Sequence, residues 1–204
     1  MTVRLRRSEL STPASSQRMI EKAAQCDADL VFLDLEDAVA PDLKVSSRDN
    51  VVRAFNELDW GDKVRAVRVN DAGTQWAYED MITVVEGAGE NLDIIILPKV
   101  KAPRDVWFFE TLLEQLESKL GLEPRIGLEA LIEETEAMTC VEEIAACSPR
   151  LEALILGFGD FSASQGIRFG HVEDTSLRYP GDLWNYHRNR MICACRAAGI
   201  DAID

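Results

Sequence analysis

Five short apolar runs in this sequence end on side chains that can carry charge or coordinate a cation. VFLDLEDAV closes on Asp34, Glu36 and Asp37, VRAVRVN on Arg68 and Asn70, and IIILPKV on Lys99; IGLEALIEE offers Glu129, Glu133 and Glu134, and ALILGFGDFS offers Asp160. Carboxylates gathered at one place repel one another or take up protons unless something positive neutralises them. A divalent cation together with Arg68 would do so. An all-oxygen donor set without histidine suits Mg²⁺ or Mn²⁺ better than Zn²⁺, and Mg²⁺ typically takes one or two carboxylates while keeping positions for water and substrate. Spacing alone leaves other roles open. Asp34 and Asp37 can cap the following turn or pair with Lys44 or Arg48, Glu36 can orient Arg68, and Lys99 can simply cover carboxylate charge. Glu134 and Glu136 can favour a helix N-terminus. In GFGDFSAS, Gly157 and Gly159 either let backbone N–H groups approach a ligand carboxylate or form a plain tight turn around Asp160. His171 and His187 fall outside the run ends, and His187 shares an amphipathic stretch with Trp184, Met191 and Cys195 that reads as packing.

The elements that must position these residues follow from the apolar pattern, which switches between short runs and helical spacing as a helix-covered parallel sheet requires. Strands are expected over 7–10, 29–35, 64–69, 92–98, 125–132 and 151–156, with a seventh beginning near 200. Helices are expected over 16–26, 43–58, 75–86 and 182–198. Another follows Pro103, with Trp107, Phe108, Leu112, Leu113, Leu116 and Leu120 on one stripe, and another carries Ala137, Met138, Val141, Ile144 and Ala145. No Gly-rich phosphate fingerprint follows the first strand, so a (β/α)₈ TIM barrel fits better than an open doubly wound sheet. In such barrels the active site lies at the C-terminal strand ends, where the charged residues fall. About six complete βα units precede Asp204, so residues 1–204 are expected to form an incomplete barrel domain with two uncovered sheet edges.

With 204 residues, 47% of them apolar, the chain is long enough for one well-buried domain. A formal net charge of −14, from 36 acidic against 22 basic residues, argues against a nucleic-acid binder, which needs basic surface. Arg4, Arg6, Arg7, Arg18 and Lys22 near the start are the candidate local patch for an anionic ligand, or else a solvated basic arm. Cys26, Cys140, Cys147, Cys193 and Cys195 are odd in number and lack metal-ligand spacing, so they read as reduced thiols. There is no secretory apolar region and no bilayer-spanning run, and the chain reads as cytoplasmic with no membrane partner.

In order along the chain, SELSTPASSQRMIEKAA, ADLVFLDLEDAVAPDLK, VRAVRVN, DIIILPKV, ALIEE and LEALILGFGDFSAS resemble the citrate lyase β-subunit-like (HpcH/HpaI aldolase) superfamily. LDLEDAVAPD, NELDWG, VEEIAACSPRLEAL and ACRAAGIDAID are most similar to its L-malyl-CoA/β-methylmalyl-CoA lyases. The resemblance spans essentially the whole sequence. It implies that Glu133 and Asp160 bind Mg²⁺, that Arg68 touches the reacting oxygens, and that Lys22 and the loop before the first helix hold the CoA end of the substrate. Ser16 stands where an Arg is common in relatives, which leaves Arg18 as its substitute or CoA weakly held. The family's C-terminal segment, implied to carry a catalytic Asp into a neighbouring subunit of a trimer or hexamer, is absent from these residues.

The implied activity is that of an Mg-dependent CoA-ester lyase. Its Claisen-type chemistry cleaves or forms a β-hydroxyacyl-CoA such as malyl-CoA, the other partners being an acyl-CoA and a 2-oxoacid such as glyoxylate. Arg68, assisted by Glu36, would stabilise the alkoxide and enolate oxygens. Backbone N–H groups around Gly159 and Asp160 would hold the oxoacid carboxylate. The general base is unassigned. The alternatives are a malyl-CoA or citramalyl-CoA thioesterase, a CoA-independent 2-oxoacid aldolase, or a non-catalytic fragment.

Overall fold

Apolar runs with little polar interruption become strands here because both faces of the sheet are covered. The computed structural model describes residues 4–123, 126–167 and 182–204. Its first half runs β1 (Glu9–Pro13), α1 (Gln17–Ala24), β2 (Leu30–Asp34), α2 (Lys44–Glu57), β3 (Val64–Arg68), α3 (Ala77–Ala88), β4 (Ile94–Leu97) and α4 (Pro103–Leu120). It continues with β5 (Gly127–Ile132), α5 (Thr135–Thr139), α6 (Val141–Ala145), β6 (Leu151–Leu156), α7 (Phe158–Ser164), α8 (Asn185–Ala198) and β7 (Asp201–Ile203). The strands form one parallel seven-stranded sheet in sequence order. Laid flat at about 4.8 Å per strand, such a sheet would hold β1 and β7 roughly 29 Å apart. Instead Arg6, just before β1, pairs with Glu129 of β5, Glu152 of β6 and Asp201 of β7. The sheet is therefore curled into a half-barrel, as a truncated TIM barrel would be.

Side-chain alternation along the strands divides the core in two. Leu30, Val64, Ala66, Ile94, Ile96 and Leu131, with Phe32 and Ile155, pack together inside the curl. Val31, Leu33, Ile95, Leu97, Leu128, Ile132 and Leu154 face the helices, against Ile20, Val51, Met81 and Phe109. Each fully buried side chain of this size contributes about 1.5–3 kcal/mol. Because the strand period is two, the interior series Leu30–Phe32, Val64–Ala66 and Glu129–Leu131 continues to Asp34, Arg68 and Glu133 at the C-terminal ends. This alternation aims the candidate site residues into the barrel mouth.

Several expectations need correction. The first strand begins at Glu9 rather than residue 7, because the backbone N–H and the guanidinium of Arg7 are both taken by Asp29. Three residues of the basic arm do not serve as an anion patch: Arg4 pairs with Asp93 and Glu152, Arg6 is buried among carboxylates on the barrel floor, and Arg7 pairs with Asp29, which leaves Arg18 and Lys22. Glu129 belongs to that floor and not to the mouth. On α4 the buried stripe is Val106, Phe109, Leu113 and Leu116, while Trp107 and Phe108 are 50% and 43% exposed. The indole N–H of Trp107 donates to the Cys147 carbonyl at 2.9 Å, which holds that ring at the surface. The helix expected after the fifth strand breaks at Cys140 into α5 and α6, although its apolar residues stay buried. The expected fifth strand's first residue, Arg125, and His171 lie outside the described residues.

All five cysteines are free. Burial raises the Cys147 and Cys195 thiols to about 11. Among the described residues no helix is long and apolar enough to cross a membrane.

Candidate active site

Arg68 is the fixed cation of the mouth. Its Nε and Nη2 donate to the two carboxylate oxygens of Asp34 at 2.8 and 2.6 Å, a paired geometry suited to guanidinium. The β2–β3 register sets Asp34 directly beside Arg68. Asp34 is fully buried, and its oxygens also accept the backbone N–H groups of Glu36 at 2.8 Å and Ala38 at 3.0 Å. Burial alone would lower the Arg68 pKa, but its bond to Asp34 outweighs that and raises it. The guanidinium carbon lies 5.7 Å from the Phe32 ring centre. Glu36 stands 3.7 Å from Arg68, so Asp34 and not Glu36 is the residue that grips the guanidinium.

Lys99, just past β4, gathers the other carboxylates. Its ammonium contacts Glu36, lies 3.3 Å from Asp37 and 3.4 Å from Asp160, and its backbone N–H donates to Glu133 Oε1 at 2.8 Å. Lys99 has a φ of +50°, a left-handed backbone that costs a residue with a Cβ roughly 1–2 kcal/mol. Strain of this kind concentrates where a side chain or amide must be aimed at a site. Burial tends to lower the Lys99 pKa, but Glu36 and Asp37 overcome this and raise it. Glu36 is raised by burial in spite of its bond to Lys99, and Asp37 ends lowered because its contacts with Glu36 and Lys99 outweigh burial.

Glu133 is 3% exposed, and burial pushes its carboxyl up to about 7, opposed by the Lys99 N–H and reinforced by the charge of Asp160. Gly157, after β6, makes room for it. A Cβ at position 157 would lie 2.7 Å from both Cβ and Oε2 of Glu133, and the first of these cannot swing away. We expect Gly157→Ala to destabilise the protein by about 1–3 kcal/mol and to weaken divalent-cation binding, measured by thermal unfolding and calorimetry. An unchanged melting temperature with unchanged cation affinity would contradict this packing role.

Asp160 lies in the first turn of α7 and is largely exposed. The GFGDFSAS stretch is thus a helix start and not a tight turn, and nothing lies within 4 Å of a Cβ built on Gly159. Arg18 and Lys22 are exposed on one face of α1, and among the described residues neither forms an ion pair. Arg18 is in the first turn, about 6 Å nearer the mouth along the helix axis. His187 packs edge-on against Phe161.

A supporting layer that spacing did not reveal lies behind the mouth. Lys44, expected as a partner of Asp34 or Asp37, is buried and donates to the carbonyls of Leu35 and Glu36 and to Asn70 Oδ1. Arg48 pairs with Asp80 and Glu79, and Asp80 in turn accepts the backbone and side-chain N–H groups of Asn70. The sequence signal was present as Lys44 and Arg48 on one helix stripe, but an i,i+4 basic pair usually marks a solvated face.

The mouth therefore sets Asp34, Glu36, Asp37, Glu133 and Asp160 against Arg68 and Lys99, a surplus of negative charge. Among the described residues no group of three or more His, Cys, Asp or Glu side chains is arranged to hold a metal. Glu133 and Asp160 as a two-carboxylate set still fit Mg²⁺, which keeps most of its positions for water and substrate. Glu133, a buried carboxyl raised by burial and by a neighbouring anion, is also the kind of donor a cation would stabilise in its charged form.

Fold and site together define a parallel (β/α) half-barrel with a carboxylate and guanidinium centre at its C-terminal strand ends. The chain belongs to the HpcH/HpaI aldolase/citrate lyase family, whose model matches residues 7–204. It is 39% identical over 98% of its length to the L-malyl-CoA/β-methylmalyl-CoA lyase of Rhodobacter capsulatus, and spans 66% of that relative. It is 36% identical over 80% of its length to the (3S)-malyl-CoA thioesterase of Cereibacter sphaeroides (strain ATCC 17025 / ATH 2.4.3), spanning 52% of it. Among solved structures, the citrate lyase β subunit from M. tuberculosis complexed with oxaloacetate and magnesium is 28% identical, with a TM-score of 0.72. The match covers 95% of this chain and 75% of that one.

Proposed function

We propose that this chain carries the metal and oxoacid half of an Mg²⁺-dependent CoA-ester lyase that cleaves or forms a β-hydroxyacyl-CoA such as malyl-CoA. The single observation that carries the reading is the convergence, at one barrel mouth, of Glu133 and Asp160 on Lys99, with Arg68 locked beside them by Asp34. The named lyases among the relatives support the same chemistry. Mg²⁺ held by Glu133 and Asp160 would polarise the oxygens of the oxoacid.

In the cleavage direction the hydroxyl proton leaves, the bond between the hydroxyl carbon and the carbon α to the thioester breaks, and its electron pair passes to the thioester enolate. Protonation of that carbon then gives the acyl-CoA, and the hydroxyl carbon becomes the carbonyl of a 2-oxoacid such as glyoxylate. Arg68 holds the negative charge on the reacting oxygens without exchanging a proton, because a guanidinium paired with a buried carboxylate stays charged. Glu36 steers Lys99 and flanks Arg68. The first-turn N–H groups of α7 around Gly159 and Asp160 face the oxoacid carboxylate, and Arg18 with Lys22 meets the CoA phosphates. The chain is read as a cytoplasmic homo-oligomer, the five free thiols supporting a reducing compartment.

Glu133→Ala and Asp160→Ala are each expected to abolish Mg²⁺-dependent binding of glyoxylate, followed by calorimetry with and without Mg²⁺. Unchanged glyoxylate affinity in both variants would sink the assignment. The thioesterase relative favours a second reading in which the CoA ester is hydrolysed at the same site. Product analysis separates the two, since hydrolysis releases free CoA and cleavage releases an acyl-CoA with a 2-oxoacid.

A further inference from the structure

Lys99 makes two kinds of contact that a regular strand residue could not. Alternation along β4 places Ile94 and Ile96 inside the curl and Ile95 and Leu97 against the helices, so a continued strand would turn residue 99 toward the helices. The left-handed backbone breaks that alternation. One residue thereby offers its N–H to Glu133 and its ammonium to Glu36, Asp37 and Asp160.

We infer that Lys99 is the positioning residue that sets how tightly this mouth holds a divalent cation: its N–H fixes Glu133, while its ammonium competes with the cation for Asp160. The inference rests on the reading of Glu133 and Asp160 as the metal pair. A cation approaching Asp160 meets a positive charge already 3.4 Å from that carboxylate. Repulsion between a divalent ion and an ammonium at such range is substantial in a partly desolvated cleft, and the Lys99 side chain is only 24% exposed. Nor can the ammonium swing out without cost, because Glu36, at 8% exposure, would lose its nearest cation and keep only Arg68, at 3.7 Å. The cation alone therefore binds below the strength the carboxylates would allow. An anionic oxoacid adds donor oxygens and offsets Lys99, so cation and oxoacid bind cooperatively.

The test is Mn²⁺ binding to this chain without oxoacid, read by electron paramagnetic resonance of the free ion, for the wild type, Lys99→Met, Lys99→Arg and Glu133→Gln. Lys99→Met keeps the N–H and removes the charge, and is expected to bind Mn²⁺ about tenfold more tightly, with Lys99→Arg within about twofold of wild type. A purely structural role would loosen binding, so unchanged or weaker binding in Lys99→Met overturns the inference. Loss of Mn²⁺ in Glu133→Gln with a wild-type result for Lys99→Met overturns the role of Lys99 alone. Wild-type affinity in Glu133→Gln overturns the metal pair itself, and absence of Mn²⁺ binding in both wild type and Lys99→Met overturns both.

Discussion

Exchanging Arg68 for Lys is expected, on the lyase reading proposed above, to lower turnover of the β-hydroxyacyl-CoA by roughly 10²–10³-fold while Mg²⁺ affinity stays within about twofold. The guanidinium spends two donors on Asp34, at 2.8 and 2.6 Å, and has further N–H groups beyond those two. An ammonium on a shorter stem satisfies Asp34 or reaches the reacting oxygens, but not both in one geometry. Charge is conserved, so Asp34 is not left as an isolated buried anion and the fold survives. Steady-state kinetics of the wild type and of Arg68→Lys, with calorimetric Mg²⁺ titration of both, measures the two effects separately. A rate within about threefold of wild type would remove Arg68 from the reacting oxygens.

Removing Arg6 acts at the other end of the barrel and on stability. Arg6 is almost wholly buried, donates to Glu129 Oε1 at 2.6 Å and also contacts Glu152 and Asp201. Arg6→Ala strands Glu129, which has no exposed surface, and is expected to cost about 3–5 kcal/mol at pH 7.5. The loss should shrink at pH 5.5. Burial already holds the Glu129 carboxyl above its ordinary value, and without Arg6 it rises further. A carboxyl whose folded pKa exceeds its unfolded one favours folding least at high pH, because ionising the buried group costs more as pH climbs from the unfolded toward the folded value. Urea unfolding of the variant and the wild type at both pH values measures this, and an equal loss at the two would show that Glu129 does not drive the effect. Glu9, raised to about 8 by burial and by Glu129, belongs to the same floor.

Much of the site was legible because strand periodicity is local. Once VFLDLED, VRAVRVN and IGLEALIEE are read as parallel strands, a period of two puts Asp34, Arg68 and Glu133 on the interior face. What spacing could not separate was which carboxylate serves which cation. Asp34 has Arg68, Lys44 and Arg48 within plausible reach in sequence, and only the β2–β3 register places it beside Arg68 and sends Arg48 to Asp80. Glu129 and Glu133 share one strand face, yet four residues of rise put one on the floor with Arg6 and the other at the mouth with Lys99. On α4 the apolar residues were visible but their phase was not, because Trp107 finds a partner at the surface.

By itself, then, the sequence determined the parallel βα repeat, the interior face of each strand and the set of charged residues that could meet at the strand ends, since all of these follow from side-chain type and local period. The curl of the sheet decided that Arg6 spans from the leader of β1 to β5, β6 and β7, and so turned an apparent basic arm into a buried counter-charge. A single left-handed residue, Lys99, decided which carboxylates are gathered and which is held by an amide. Both depend on long-range juxtaposition, in which partners more than a hundred residues apart, or a backbone conformation imposed by packing, fix charges whose local spacing is the same either way.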